Sequence, residues 1–235
     1  MKKTIGILGG MGPLATADLF HKIIAATKAE GDNDHIRVFI DSNSAIPDRT
    51  GAILFGGEDP VPEMRSALRN LEKCGADCII MPCNTAHYFL PRLRALTKTP
   101  ILSMPEITAE RCAELYPGKR AAILGTMGTL QTGLYDAALE KRGVPYLLPD
   151  REQQAELMRL IYDVVKAGKP LPPEKTGWSL LLRGLRKRGA EYFILACTEL
   201  PILASALSDP GPFVDPTAEL ARAAVIFCGY PLKED

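Results

Sequence analysis

The chain of 235 residues carries an internal repeat. ILGGMG at 7–12 returns as ILGTMG at 123–128, and ADCIIMPCNT at 76–85 returns as AEYFILACTE at 190–199, in the same order and at nearly one offset. A single glycine-rich string recurring would mean little. Two strings recurring in register predict two similar halves, each built from apolar strands followed by helices. Strands buried on both faces read as continuous apolar runs, and their alternation with amphipathic helices predicts parallel sheets covered on both sides.

The local pattern fills in the halves. Residues 3–8 read as a buried strand ending in glycines, and a helix follows from Pro13, a residue suited to a first helical turn. Its expected core face is Leu14, Ala17, Phe20 and Ile24, with an end near Gly31. Further strands are expected at 37–40, 76–82, around Ile101, at 120–124, near Tyr146 and at 191–196. Helices are expected at 61–74, 129–142, 151–167 and 175–188. The expected fold class is α/β: two Rossmann-like lobes over 1–116 and 117–211, with a seam at Tyr116-Pro117-Gly118. The segment 212–235 is expected to return to the first lobe.

Composition removes several functions. Lys plus Arg (28) equals Asp plus Glu (28), so no global field draws in nucleic acid or a membrane surface. No apolar run reaches a membrane span. The opening MKKTIGILGG places lysines before apolar residues as an export signal does, but it is short, glycine-broken and without a small-residue cleavage site. Six cysteines without an export signal imply thiols in a reducing cytoplasm. No C-x-x-C spacing supports a structural zinc site, so no metal is expected. Most of the six are expected to be small apolar core residues.

Two of them differ. Cys83 in PCNTAH and Cys197 in ACTELP each end a predicted buried strand at equivalent points of the repeat, where open α/β sheets place their ligands. Asn84, Thr85 and Thr198 are placed to cap the helices that follow, and the helix dipole there would favour thiolate. Two thiols on opposite faces of one substrate are what racemisation needs. One removes the Cα proton as thiolate while the other, as thiol, delivers a proton from the far side.

PCNTAH with ACTELP, the opening GILGGMGP, the IPDRT segment and the central GTMGT together resemble the aspartate/glutamate racemase family, over nearly the whole chain. The resemblance implies two α/β lobes related by a pseudo-two-fold axis, an active site in the cleft between them, no pyridoxal phosphate or metal, and a homodimer. By position it implies catalytic roles for Cys83 and Cys197. It sets Asn84, Thr85, Thr126 and Thr198 around the amino-acid carboxylate, and Met11, in the glycine loop whose amides can reach a ligand, is expected among the substrate-binding residues. Arg49 of IPDRT matches the arginine that meets the substrate side-chain carboxylate, and Lys166, with Lys169 close by, matches a lysine of the same duty. The implied substrate is aspartate or glutamate, with broad specificity as the alternative.

Other residues read more simply. His87 is expected to pack or hydrogen-bond rather than drive a hydrolase, and Asp41 and Asp48 to serve as turn and capping residues. Gly10 to Ala15 also fit G-x-G-x-x-G/A after a strand, the mark of a dinucleotide-dependent oxidoreductase, but Pro13 removes an amide and Asp41 lies beyond the usual reach. A non-catalytic amino-acid sensor would need the carboxylate contacts but not two thiols.

Overall fold

The structure is a computed structural model in which residues 2–169, 177–207 and 211–234 are described. The chain forms two compact units, Met1–Ile107 with Thr217–Asp235, and Thr108–Pro216.

The first unit is built on a parallel sheet of β1 (Ile5–Gly9), β2 (Val38–Ser42) and β3 (Cys78–Ile80), in the order β2-β1-β3. A single parallel bridge from Ile79 to Ile101 extends it, in place of the full strand expected there. β1 is buried at every residue, and its alternation sorts the core into two layers. Leu8 joins α3 (Val61–Lys73) on one face, through Met64, Leu68 and Leu71. Ile5 and Ile7 face α1 (Pro13–Ala26) and the last helix on the other.

The α1 face departs from expectation. Ala15, Thr16, Leu19 and Ile23 are buried, whereas Leu14, Ala17, Phe20 and Ile24 face outward. The helix is apolar on more than one side, so hydropathy did not select the buried stripe; packing against β1 did. It also stops at Ala26, because Thr27 turns extended and bridges to Leu232.

Arg49 does not lie in a loop: it opens α2 (Arg49–Leu54), with the Asp48 carboxylate accepting from Gly51 N–H at 2.6 Å. Asp48 is thus a cap, as expected. Asp41 is neither turn nor cap: it lies on β2 and accepts from Asn70 Nδ2 at 2.9 Å. A 3-10 turn (Thr85–Phe89) and α4 (Leu90–Arg94) follow β3, and α5 (Met104–Leu115) follows the Ile101 bridge. The boundary between the units falls inside α5, ahead of the Tyr116-Pro117-Gly118 turn.

The second unit repeats the topology. β4 (Ala121–Gly125), β5 (Tyr146–Leu147), β6 (Tyr192–Ala196) and β7 (Phe213–Val214) pair in parallel as β5-β4-β6-β7, so the strand carrying the repeated ILG string is again flanked by the second and third strands of its unit. β7 extends the sheet beyond β6, which keeps residues 213–214 with this unit. α6 (Met127–Gln131) and α7 (Leu134–Lys141) replace one expected helix, broken at Gly133, whose φ of 65° is left-handed.

α8 (Arg151–Met158) continues as a π-helix over Arg159–Lys166. With α9 (Gly177–Lys187) and α10 (Glu199–Ala206) it covers one sheet face through Leu157, Leu160, Trp178, Leu182, Leu185 and Leu200. Residues 175–176 of the helix expected over 175–188 lie outside the described residues. Ala109, Cys112, Tyr135 and Leu139 cover the other face. α11 (Pro216–Phe227) belongs to the first unit, where Leu220, Ala224 and Val225 pack with Ile5 and Ile7. Cys78, Cys112 and Cys228 are buried thiols, but Cys74 is exposed.

Candidate active site

Cys83 follows β3 through Met81 and Pro82, and Cys197 follows β6 directly. β3 and β6 are each hydrogen-bonded to the central strand of their own sheet. Both cysteines are 7% exposed, buried but in touch with the surface. Their surroundings differ.

In the first unit the residue two places after the thiol is Thr85, buried and uncharged. Asn84 occupies the cap position of the 3-10 turn without a capping side-chain bond, so the expected cap is absent. His87 is buried below the site. Met104 N–H donates to its Nε2 at 3.1 Å, which leaves the ring proton on Nδ1 to bond the Cys83 carbonyl oxygen at 2.9 Å. Burial away from water holds this imidazole neutral, with a pKa lowered to about 4. His87 therefore fixes the backbone of Cys83 and does not act on its sulfur.

The glycine loop is shaped by internal packing. Gly10 has φ +89° and a Cβ there would lie 2.3 Å from the backbone of Asn43, so the position excludes side chains. Its N–H donates to Thr16 Oγ1 at 2.9 Å, which removes an amide that a nucleotide phosphate would need. Met11 is buried and its carbonyl accepts from Arg49 Nη2 at 2.8 Å. Arg49 Nη1 donates to the carbonyls of Ile46 at 3.2 Å and Pro47 at 3.0 Å. Its guanidinium thus stitches the glycine loop to the start of α2.

In the second unit Thr126 is the side chain that caps α6, accepting from Thr129 N–H at 3.2 Å. Thr198 stands at the cap position of α10 but makes no capping bond. Instead its hydroxyl donates to Glu199 Oε2 at 3.1 Å. The same oxygen accepts from Cys197 Sγ at 3.0 Å, and Glu199 Oε1 lies 2.8 Å from Lys166 Nζ. Glu199 is 6% exposed, a buried carboxylate that touches the thiol, the hydroxyl and the ammonium together.

This arrangement reverses the expectation of a dipole-stabilised thiolate at Cys197. Burial first, and the Glu199 carboxylate second, push the thiol well above its ordinary range, with Lys166 opposing. Tyr135, also buried, lies near enough to interact electrostatically with Cys197. The π-helix brings Lys166 here: i and i+5 become neighbours, so Lys166 stands one widened turn after the fully buried Ile161. Lys169 is exposed beyond the helix end.

Glu199 was not among the residues the sequence singled out. Its signal was an acid two places after a strand-end thiol, where a helix start folds i+2 back over i.

Among the described residues no helix is long and apolar enough to cross a membrane, and no three His, Cys, Asp or Glu side chains are grouped as metal ligands.

Two parallel sheets of matched topology, each with a buried thiol just past one strand, define a class of two-unit α/β proteins. The Asp/Glu/hydantoin racemase family model matches residues 8–224, and the chain belongs to that family. It is 29% identical over 231 residues, 94% of this chain and 96% of the relative, to the broad specificity amino-acid racemase RacX of Bacillus subtilis (strain 168). The structure of Picrophilus torridus aspartate racemase superposes with a TM-score of 0.83 at 30% identity, covering 98% of this chain and 96% of that one. An aspartate racemase homologue from Pyrococcus horikoshii OT3 shares the fold, with a TM-score of 0.75 at 24% identity, over 96% of this chain and 99% of that one. The chain is an isomerase of the racemase type, and the dinucleotide-enzyme and sensor readings give way to it.

Proposed function

We propose that the chain interconverts L- and D-aspartate, or glutamate, by proton transfer at Cα between Cys83 and Cys197, without pyridoxal phosphate or metal. The observation that carries this reading is the matched position of the two thiols, each just past the strand that flanks the central strand of its sheet. Two-base exchange requires them to reach one Cα from opposite faces. The thiolate takes the Cα proton, the electron pair passes into the substrate carboxylate as an enolate-like species, and the other thiol protonates Cα from the far side. Asn84, Thr85, Thr126, Thr198 and backbone N–H groups near Met11 are proposed to hold that carboxylate and its developing charge.

Arg49 is proposed to meet the side-chain carboxylate, exchanging a backbone carbonyl for a charged acceptor that binds it more strongly. Lys166 would have to leave Glu199 to serve the same group. That ion pair favours a second reading, broad specificity, because it offsets one of the two cations available to an acidic side chain. The similarity to RacX points the same way. A homodimer in a reducing cytoplasm completes the proposal.

The test is solvent deuterium exchange. Reduced protein, without added cofactor, is incubated in heavy water with L-aspartate, L-glutamate and neutral amino acids. Label at Cα together with the D-enantiomer supports the chemistry, and the substrates labelled separate the two specificities. Absence of label in all of them would end the reading.

A further inference from the structure

The surroundings of the two thiols are chemically unequal. At the second position after the thiol, the first unit has Thr85 and the second has Glu199. Among the described residues it is the second thiol that donates to a carboxylate, at 3.0 Å, and that carboxylate is in turn paired to Lys166 at 2.8 Å. Both groups reach it from different elements: Glu199 opens α10, and Lys166 ends the π-helix.

We infer that Lys166 and Glu199 form a charge relay that holds Cys197 as the proton-bearing thiol in the free enzyme, leaving Cys83 as the resting base. The inference rests on the two-cysteine reading above. Glu199 touches the reacting sulfur itself, and Lys166 is a positioning residue acting through Glu199. A carboxylate that accepts the S–H hydrogen bond favours the protonated sulfur, and it repels the thiolate. The ammonium on its other oxygen reduces that repulsion, so the pair sets how firmly the proton is held.

The consequence is an enzyme preset for one direction. In that direction Cys83 thiolate accepts the Cα proton and Cys197 gives its own to the opposite face. In the other direction Cys197 must first lose its proton, and the hydrogen bond supplies the route. The proton moves from Sγ to Glu199 Oε2, the S–H bond breaking as an O–H bond forms, and the thiolate then takes the Cα proton. Cys83, protonated from water, donates to Cα. Glu199 returns its proton to water at the end of the cycle, so charge and protons balance.

The two substitutions should act in opposite senses. Among the described residues, Glu199 and Lys166 act directly on Cys197, and Tyr135 lies near enough to feel its charge. Full-length reduced protein is alkylated with iodoacetamide across a pH series, and modification at Cys197 and Cys83 is resolved by peptide mass spectrometry. Glu199→Gln removes the negative charge and should move the Cys197 midpoint down by about one pH unit, roughly tenfold faster modification at a fixed pH below it. Lys166→Met exposes the sulfur to the full carboxylate and should move the midpoint up. Glu199→Asp should stay close to wild type, and Cys83 should not follow either change. A general loosening of the fold would speed both cysteines together and move both midpoints alike, which would overturn the relay. So would an unchanged Cys197 midpoint in Lys166→Met, a partly exposed position that carries the test alone if Glu199→Gln does not fold. Retained racemisation in Cys197→Ala would refute the two-cysteine reading instead, with the alkylation profiles unaffected.

Discussion

His87 makes the first unit acid-sensitive in a calculable way. Its imidazole is buried, neutral and bonded at both nitrogens, donating to Cys83 O and accepting from Met104 N–H. The unfolded chain binds a proton there near 6.5, whereas the folded chain resists until about 4. Between those values the unfolded state carries the extra proton, so stability rises with pH. The contribution is whole above 6.5, declines as pH falls, and is exhausted below about 4. At about 1.4 kcal/mol per pH unit the gap amounts to about 3 kcal/mol.

The perturbation is His87→Gln, compared with wild type by urea unfolding across that window and followed by circular dichroism. Carboxylates titrate in both proteins and cancel in the difference. The wild-type advantage should therefore shrink by about 3 kcal/mol between the two ends. The His87 ring resonance, followed by NMR, should titrate near 4. A ring titrating near its ordinary value, or a stability difference flat across the window, would refute the reasoning. Charging the ring also puts a second N–H against Met104 N–H, so the turn that carries Cys83 should loosen at the same pH.

Cys83→Ala and Cys197→Ala should each lower racemisation by several orders of magnitude, since losing either acid/base group blocks exchange at one face; chiral chromatography of the products checks it. Asp48→Ala removes the cap of α2 and should cost about 1 kcal/mol, read by thermal unfolding, with a weaker grip of Arg49 on the glycine loop. Gly10→Ala forces a left-handed residue into Asn43 and should cost at least about 2 kcal/mol, visible as lost soluble yield or a lowered melting temperature.

The sequence by itself determined the parts whose physics is local or repeated. Apolar β-branched runs ending in glycine or cysteine marked β1, β3, β4 and β6, because strands covered on both faces leave no polar positions. The repeat made Cys83 and Cys197 equivalent, and the motif strings led to the family. What it did not hold was any choice among equally apolar faces or distant partners. α1 is apolar on two sides, so only contact with β1 decided which was buried. α5 carries no single apolar stripe in the sequence, since its apolar residues divide between two cores. Arg49 looked like a loop cation until Met11, 38 residues away, supplied its acceptor. The ion-pair partner of Lys166 was not legible, because Glu199 follows β6, far along the chain. Whether a charged side chain serves a ligand or a neighbour depends on what folding brings within hydrogen-bond distance, and here only the tertiary structure set Glu199 between Lys166 and the thiol of Cys197.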